Sequence, residues 1–228
     1  MNRTLLSLTA LSLLGACAPN PLPMRIERFL PIDQATCFST DDPKLGLAAG
    51  TLDVSPGGTP EYLVGFRVIG GDAFIQPPYV LTGGRQLEAE NRNQPILDRI
   101  VLSYAARPAG GLRLGSVQVS RSMPLNEGEL ISTVNVISPD LAQDLVTAVV
   151  PGTDVELTVS VEARGYMSGD RAQITTGKLE FPLKVTATDP ASCTGGVIQP
   201  TPGTCLYPGQ DPVSVCCDQL TGPPPGCP

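Results

Sequence analysis

From about Lys44 to Ala187 apolar and polar side chains alternate along the chain with a period of two. The clearest stretch is 155–164, where Val155, Leu157, Val159, Val161 and Ala163 fall on one side. Glu156, Thr158, Ser160, Glu162 and Arg164 fall on the other. Successive side chains of a strand point to opposite faces, so this spacing predicts a half-buried strand on a solvated sheet. Residues 177–187 repeat the pattern, with Leu179, Phe181, Leu183 and Val185 inward and Lys178, Glu180 and Lys184 outward. Pro182 has no N–H to give to a ladder, which places this strand at an edge or puts a bulge at that residue.

Weaker strands are expected over Leu47–Val54, Glu61–Ile69, Ile96–Tyr104, Leu112–Ser120 and Glu129–Val136. In the second of these Tyr62, Val64, Phe66 and Val68 share a face. In the third, Ile96, Ile100, Leu102 and Tyr104 do, with Asp98 an exception on that apolar face and Leu97 and Val101 opposite. Turn-forming clusters separate the strands: Ser55-Pro56-Gly57-Gly58, Thr82-Gly83-Gly84, Pro108-Ala109-Gly110-Gly111, Asn126-Glu127-Gly128 and Ser168-Gly169-Asp170. Short strands with such separators predict a mainly β fold, an antiparallel β-sandwich that is Ig-like in style. It is not of the antibody type, because the chain has no Trp and no cysteine between 38 and 192.

One stretch breaks the period. Ser138 can cap a helix, Pro139 suits its first turn, and Leu141, Leu145 and Val149 recur at a spacing of four before Pro151-Gly152. This predicts a short helix over 139–149 crossing one end of the sandwich. The rival reading is a buried strand over 145–150.

The ends of the chain are different material. Leu5 to Leu14 is an apolar run broken only by Ser7, Thr9 and Ser12, preceded by a single positive side chain, Arg3. It is shorter than the roughly 20 residues a bilayer span needs, and it reads as a secretory signal over 1–16. The run ends in Leu14-Gly15-Ala16-Cys17, which resembles the lipobox of bacterial lipoprotein precursors. The resemblance implies cleavage before Cys17, lipid on its sulfur and a further acyl chain on its nitrogen. Several chains matter, since one acyl chain alone gives only marginal membrane binding. By the same resemblance Ala18 favours the outer membrane. Pro19, Pro21 and Pro23 make residues 17–24 a stiff spacer, with the body at 25–189.

Loss of the leader leaves 14 basic and 22 acidic side chains, a net charge of −8, with the basic residues scattered singly. Phosphate-backbone tracking and polybasic attachment to anionic lipid are thereby disfavoured, so nucleic acid is not an expected partner. Setting Cys17 aside leaves Cys37, Cys193, Cys205, Cys216, Cys217 and Cys227. An even number in an exported chain reads as three disulfides, of 15 conceivable sets of pairs. If all six pair within the chain, Cys37 must join one of the five C-terminal cysteines. The tail over 190–228 holds 15 Pro or Gly among its 39 residues, so disulfides and docking, not a core of its own, must order it. Its run Cys205 to Cys217 resembles the cysteine-rich endings of uncharacterised lipoproteins from myxobacteria and their relatives, which also carry a β-rich body. That likeness implies a location and a fold, and no mechanism.

The chain has no histidine, which removes Ser-His-Asp and Cys-His nucleophilic sets and imidazole acid–base chemistry together. The Gly-Gly pairs lack a phosphate-loop ending, no cofactor motif occurs, and the acidic stretch 39–42 lacks a calcium-loop spacing. A carboxylate pair acting on envelope or extracellular glycans is the enzymatic alternative. Its candidates are Asp41, Asp42, Glu88, Glu90, Asp98, Asp140 and Asp144. Asp98, expected on an apolar face, is the first to inspect. The leading expectation is an outer-membrane lipoprotein with no catalytic, cofactor or metal residues. It would be a non-catalytic binding or structural module with an envelope protein or glycan as partner.

Overall fold

The computed structural model describes residues 24–33, 35–40, 42, 44–55, 59–70, 94–125, 128–169, 171–189, 197–198, 205–207, 209–211 and 215–216. The strands are β1 (Met24–Leu30), β2 (Gly50–Asp53), β3 (Leu63–Gly70), β4 (Pro95–Arg107), β5 (Ser116–Pro124), β6 (Glu129–Asn135), β7 (Val155–Met167) and β8 (Gln173–Thr186). Among the described residues one helix, α1 (Pro139–Ala148), lies between β6 and β7, and β9 (Val197–Ile198) and β10 (Val215–Cys216) follow β8. One sheet has the order β1-β3-β6 and a second the order β2-β8-β7-β4-β5, while β9 and β10 pair only with each other. The arrangement is mainly β and curls as an open half-barrel.

The alternation in β7 holds: Val155, Leu157, Val159, Val161 and Ala163 are all buried. Phe181, Leu183 and Val185 of β8 join them, with Lys178, Glu180, Pro182 and Lys184 exposed. Tyr62, Val64, Phe66 and Val68 are fully buried on the facing sheet. The two faces close over one core, in which Phe29 of β1 meets Phe181 edge-on at 5.0 Å and Tyr62 lies 5.6 Å from the same ring. Such aromatic contacts add about 0.5–1.5 kcal/mol each beyond area burial. Here they fasten one sheet to the other. The helix expectation over 139–149 holds, and the rival strand is excluded. Ser138 Oγ accepts from Leu141 N at 3.3 Å, Pro139 opens the first turn, and Leu141, Ala142 and Leu145 are buried.

Several expectations need correction. β2 and β8 run parallel, so the larger sheet is mixed and not wholly antiparallel. Met24, assigned to the spacer, is fully buried in β1. The strand expected over 112–120 begins only at Ser116 and continues to Pro124. β8 is an inner strand only from Leu183 on. At Pro182 its flank away from β7 is unpaired among the described residues, so the edge expectation holds at that residue, and there is no bulge there. Its partner there on β7 is Thr158, and β2 begins only at Leu183, so the absent N–H falls beyond the end of the β2 ladder.

Asp98 does not break an apolar face. It is an extra residue on β4, since Leu97 pairs with Gly165 and Arg99 with Arg164. This bulge reverses the facing, so Leu97, Ile100 and Leu102 all point inward. Gly165 sits opposite, where a Cβ would collide with the Ile96 carbonyl and lie 2.9 Å from Leu97 Cα. β8 bulges at Thr176-Gly177, with Gly177 at φ +73° and the buried Thr176 Oγ1 accepting from Ala163 N at 3.0 Å.

Candidate functional site

The feature that stands out from the sheets is a short C-terminal strap, Cys205–Tyr207 with Gly209–Asp211, seated across the starts of β2 and β3. Its fastening begins after β1. Asp33 Oδ1 accepts from Ala35 N at 2.8 Å and Thr36 N at 3.0 Å, and Cys37 N donates to Asp33 O at 2.9 Å. These backbone bonds hold the Asp33 carboxyl below its ordinary pKa, first through Thr36 and then Ala35. The turn leaves Cys37 at φ +61°, a region most side chains avoid. Cys37 is bonded to Cys205 across a sequence separation of 168. The expected pairing of Cys37 with a tail cysteine is therefore present, and the partner is Cys205.

Beyond the disulfide the strap works almost entirely through polar groups. Asp53 N donates to Gly209 O at 2.8 Å and Asp211 N to Thr51 O at 3.2 Å, so the strap adds one antiparallel step to the free flank of β2. Gly209 adopts φ +84°, which favours glycine at that point. Gln210, only 3% exposed, then reaches the other sheet. Its Oε1 accepts from Leu63 N at 2.9 Å and its Nε2 donates to Leu63 O at 2.7 Å. The side-chain amide thus stands in for a peptide group of a neighbouring strand. The main chain of Gly209 and Asp211 on one sheet and the Gln210 side chain on the other make the strap a bridge across the gap.

Asp211 completes the seat. Its Oδ1 accepts from Thr51 N at 2.7 Å, and its Oδ2 accepts from the Tyr62 hydroxyl. The Tyr62 ring lies against Gly50, where a Cβ would overlap the hydroxyl end of the ring. Burial, followed by the Asp211 carboxylate, pushes Tyr62 far above the ordinary tyrosine pKa. Nearby, the Glu61 carboxylate beside Tyr207 pushes that phenol up as well. Asp53, 1% exposed, closes the far end of β2: its Oδ1 accepts from Ser55 N and its Oδ2 from the Thr188 hydroxyl at 2.5 Å.

Magnitudes show what holds the strap. Six hydrogen bonds tie Gly209–Asp211 to the seat, each worth about 1 kcal/mol net. Ordering the segment costs about 1–2 kcal/mol per residue, and Gln210 is its one fully buried side chain. The two that end on the Asp211 carboxylate are charge-assisted and worth more, about 1.5–3 kcal/mol each, so the hydrogen bonds favour docking and the covalent link adds to them.

Of the catalytic candidates among the described residues, Asp140 and Asp144 lie one turn apart on α1 beside Arg113, and Asp42 and Asp98 are engaged elsewhere. Asp98 is paired with Arg99, whose Nη2 lies 3.0 Å from Oδ2. Asp144 receives the Arg113 side chain at 2.9 Å and the Arg113 backbone N at 2.9 Å, which together hold it below the usual carboxylate range. Asp140 is exposed in the first turn of α1, and Asp42 Oδ1 accepts from Lys44 N at 2.9 Å. Asp41, Glu88 and Glu90 lie outside the described residues, as do Cys17, Cys193, Cys217 and Cys227. Cys216 falls in β10. Among the described residues no cluster of three or more His, Cys, Asp or Glu is placed to hold a metal. Sequence reasoning missed Gly50, Tyr62, Gln210 and Asp211 as one unit. The hint available was Gly-Gln-Asp between Cys205 and Cys216, where apolar periodicity is silent. No family model, no curated protein and no solved structure matches this chain.

Proposed function

We propose that the chain is an envelope-anchored lipoprotein of the outer membrane, and that its β domain serves as a non-catalytic binding or structural module for an envelope protein or glycan. One observation carries the reading: Leu14-Gly15-Ala16-Cys17 stands where a ten-residue apolar run ends. A Pro-rich stretch then separates Cys17 from the first residue of β1, which gives a lipid-held domain room to stand clear of the bilayer. The two curled sheets with a shared core are taken as a sandwich of Ig-like style. Asp98 and Asp144 are each engaged by an arginine, which leaves the hydrolase alternative without support from those two candidates.

Metabolic labelling with a clickable fatty acid tests the anchor. The wild-type chain should carry label and sediment with membranes, and Cys17→Ala should lose all label and leave the membrane fraction. Full labelling of Cys17→Ala would overturn the reading.

A further inference from the structure

We infer that the strap seat is a recognition site for a turn-led Gly-Gln-Asp segment, and that a second copy of this chain supplies that segment when the Cys37–Cys205 link is open. The inference goes beyond the anchored-module reading and does not depend on the lipid.

The seat has the composition of a peptide-binding edge. It offers main-chain groups at Thr51, Asp53 and Leu63, all met by the strap, and such groups need partners wherever they are buried. Selectivity comes from three consecutive positions. The first needs a left-handed backbone, as Gly209 has at φ +84°. The second needs a side chain carrying donor and acceptor together at the reach of Gln210, to match both Leu63 N and Leu63 O. The third needs a short carboxylate that takes Thr51 N and the Tyr62 hydroxyl at once. Asparagine at the second position falls one methylene short, and glutamate at the third is one too long.

The chain carries its own occupant. The strap of another copy presents identical groups, and strand addition at a free flank is an established mode of recognition. Within one copy the disulfide keeps the seat filled. Cys37 is exposed and Cys205 half-buried, so a dithiol reductant has access to the bond. Its two thiols become a disulfide, and Cys37 and Cys205 each take up one electron and one proton. The strap then keeps its hydrogen bonds but loses its short covalent link to the turn after β1, and exchange between copies becomes open to it.

Fluorescence anisotropy with a labelled peptide of the sequence Leu206–Pro212 tests this on the full chain. The acceptor is Cys37→Ser/Cys205→Ser/Gln210→Ala, whose own strap is unlinked and lacks its amide. It should bind at least tenfold more tightly than the disulfide-closed wild type, and a peptide with Ala in place of Gln should lose at least tenfold. Equal affinity for both chains, or indifference to the Gln, would overturn the assignment. Should the acceptor not fold by circular dichroism, the Gln210→Ala chain reduced with excess dithiol takes its place under the same criteria. In light scattering Cys37→Ser/Cys205→Ser should form dimers as its concentration rises, and excess peptide should dissolve them. A chain that binds peptide yet stays monomeric would overturn the second copy as occupant and point to a foreign Gly-Gln-Asp segment.

Discussion

Gly165 shows how tightly single positions are constrained where the ladders change register. It lies beneath the β4 bulge, and a Cβ there meets backbone, not the free end of a side chain. The three nearest atoms are main chain of Ile96 and Leu97, which cannot swing aside as a side chain would. Gly165→Ala should therefore destabilise by about 2–3 kcal/mol, read as a lower midpoint in urea with an unchanged slope. Gly110 is the internal control, since nothing lies within 4 Å of its Cβ direction, and Gly110→Ala should leave the midpoint nearly unmoved. Gly50 belongs to the same class as Gly165, but what it makes room for is the Tyr62 ring on its way to Asp211.

At the scale of elements, α1 depends on its first turn. Ser138 satisfies Leu141 N, and Asp140 sits near the positive end of the helix. Ser138→Ala should cost about 1 kcal/mol, with hydrogen exchange quickening at Leu141 and Ala142 ahead of β7. This helix was legible in the sequence, because Ser138, Pro139 and the spacing of Leu141 and Leu145 all agree. So were β3, β7 and β8, whose stripes run unbroken from Tyr62 to Val68 and from Val155 to Ala163. β1 was not legible, and the reason is specific. Met24 and Ile26 face inward, Glu27 is an extra residue against β3, and Phe29 then faces inward on the opposite parity. A stripe that changes phase within seven residues looks like no stripe. Asp98 hid the facing of β4 in the same way. The seat was hidden for another reason: Gln210 pairs with a strand through its side chain, and hydrophobic patterning carries no record of such a bond.

The molecule as a whole should show a stability plateau bounded by two kinds of group. Asp33, Asp144 and Glu162 have native pKa values below their ordinary ones, through backbone bonds at Asp33, Arg113 at Asp144 and Arg164 at Glu162. The folded state therefore binds fewer protons in acid, and their contribution, present at neutral pH, fades as pH falls through about 4. Tyr62 and Tyr207 are shifted upward, so the folded state keeps protons that the unfolded chain releases. Their contribution is complete below about pH 10 and is lost above it. Urea midpoints should be flat between about pH 5 and 9 and decline on both sides. Tyr62→Phe should lower the plateau by about 1–3 kcal/mol and soften the alkaline decline. A midpoint that rises above pH 10 in the wild type would contradict the buried Tyr62–Asp211 bond.

The bond between Cys37 and Cys205 also sets the path that mechanical load must take. Tension applied between Met24 and the end of the strap travels along β1, through the turn at Asp33, and across sulfur into Cys205. Residues 38 to 204 lie on a parallel branch, so a pull that detaches β1 from β3 draws Phe29 away from Phe181 but need not unzip the ladder of β8, β7 and β4. With the sulfur bridge cut, the same pull has to pay out through β8, β7 and β4 in series, and the chain changes from a short tether into a long, extensible one.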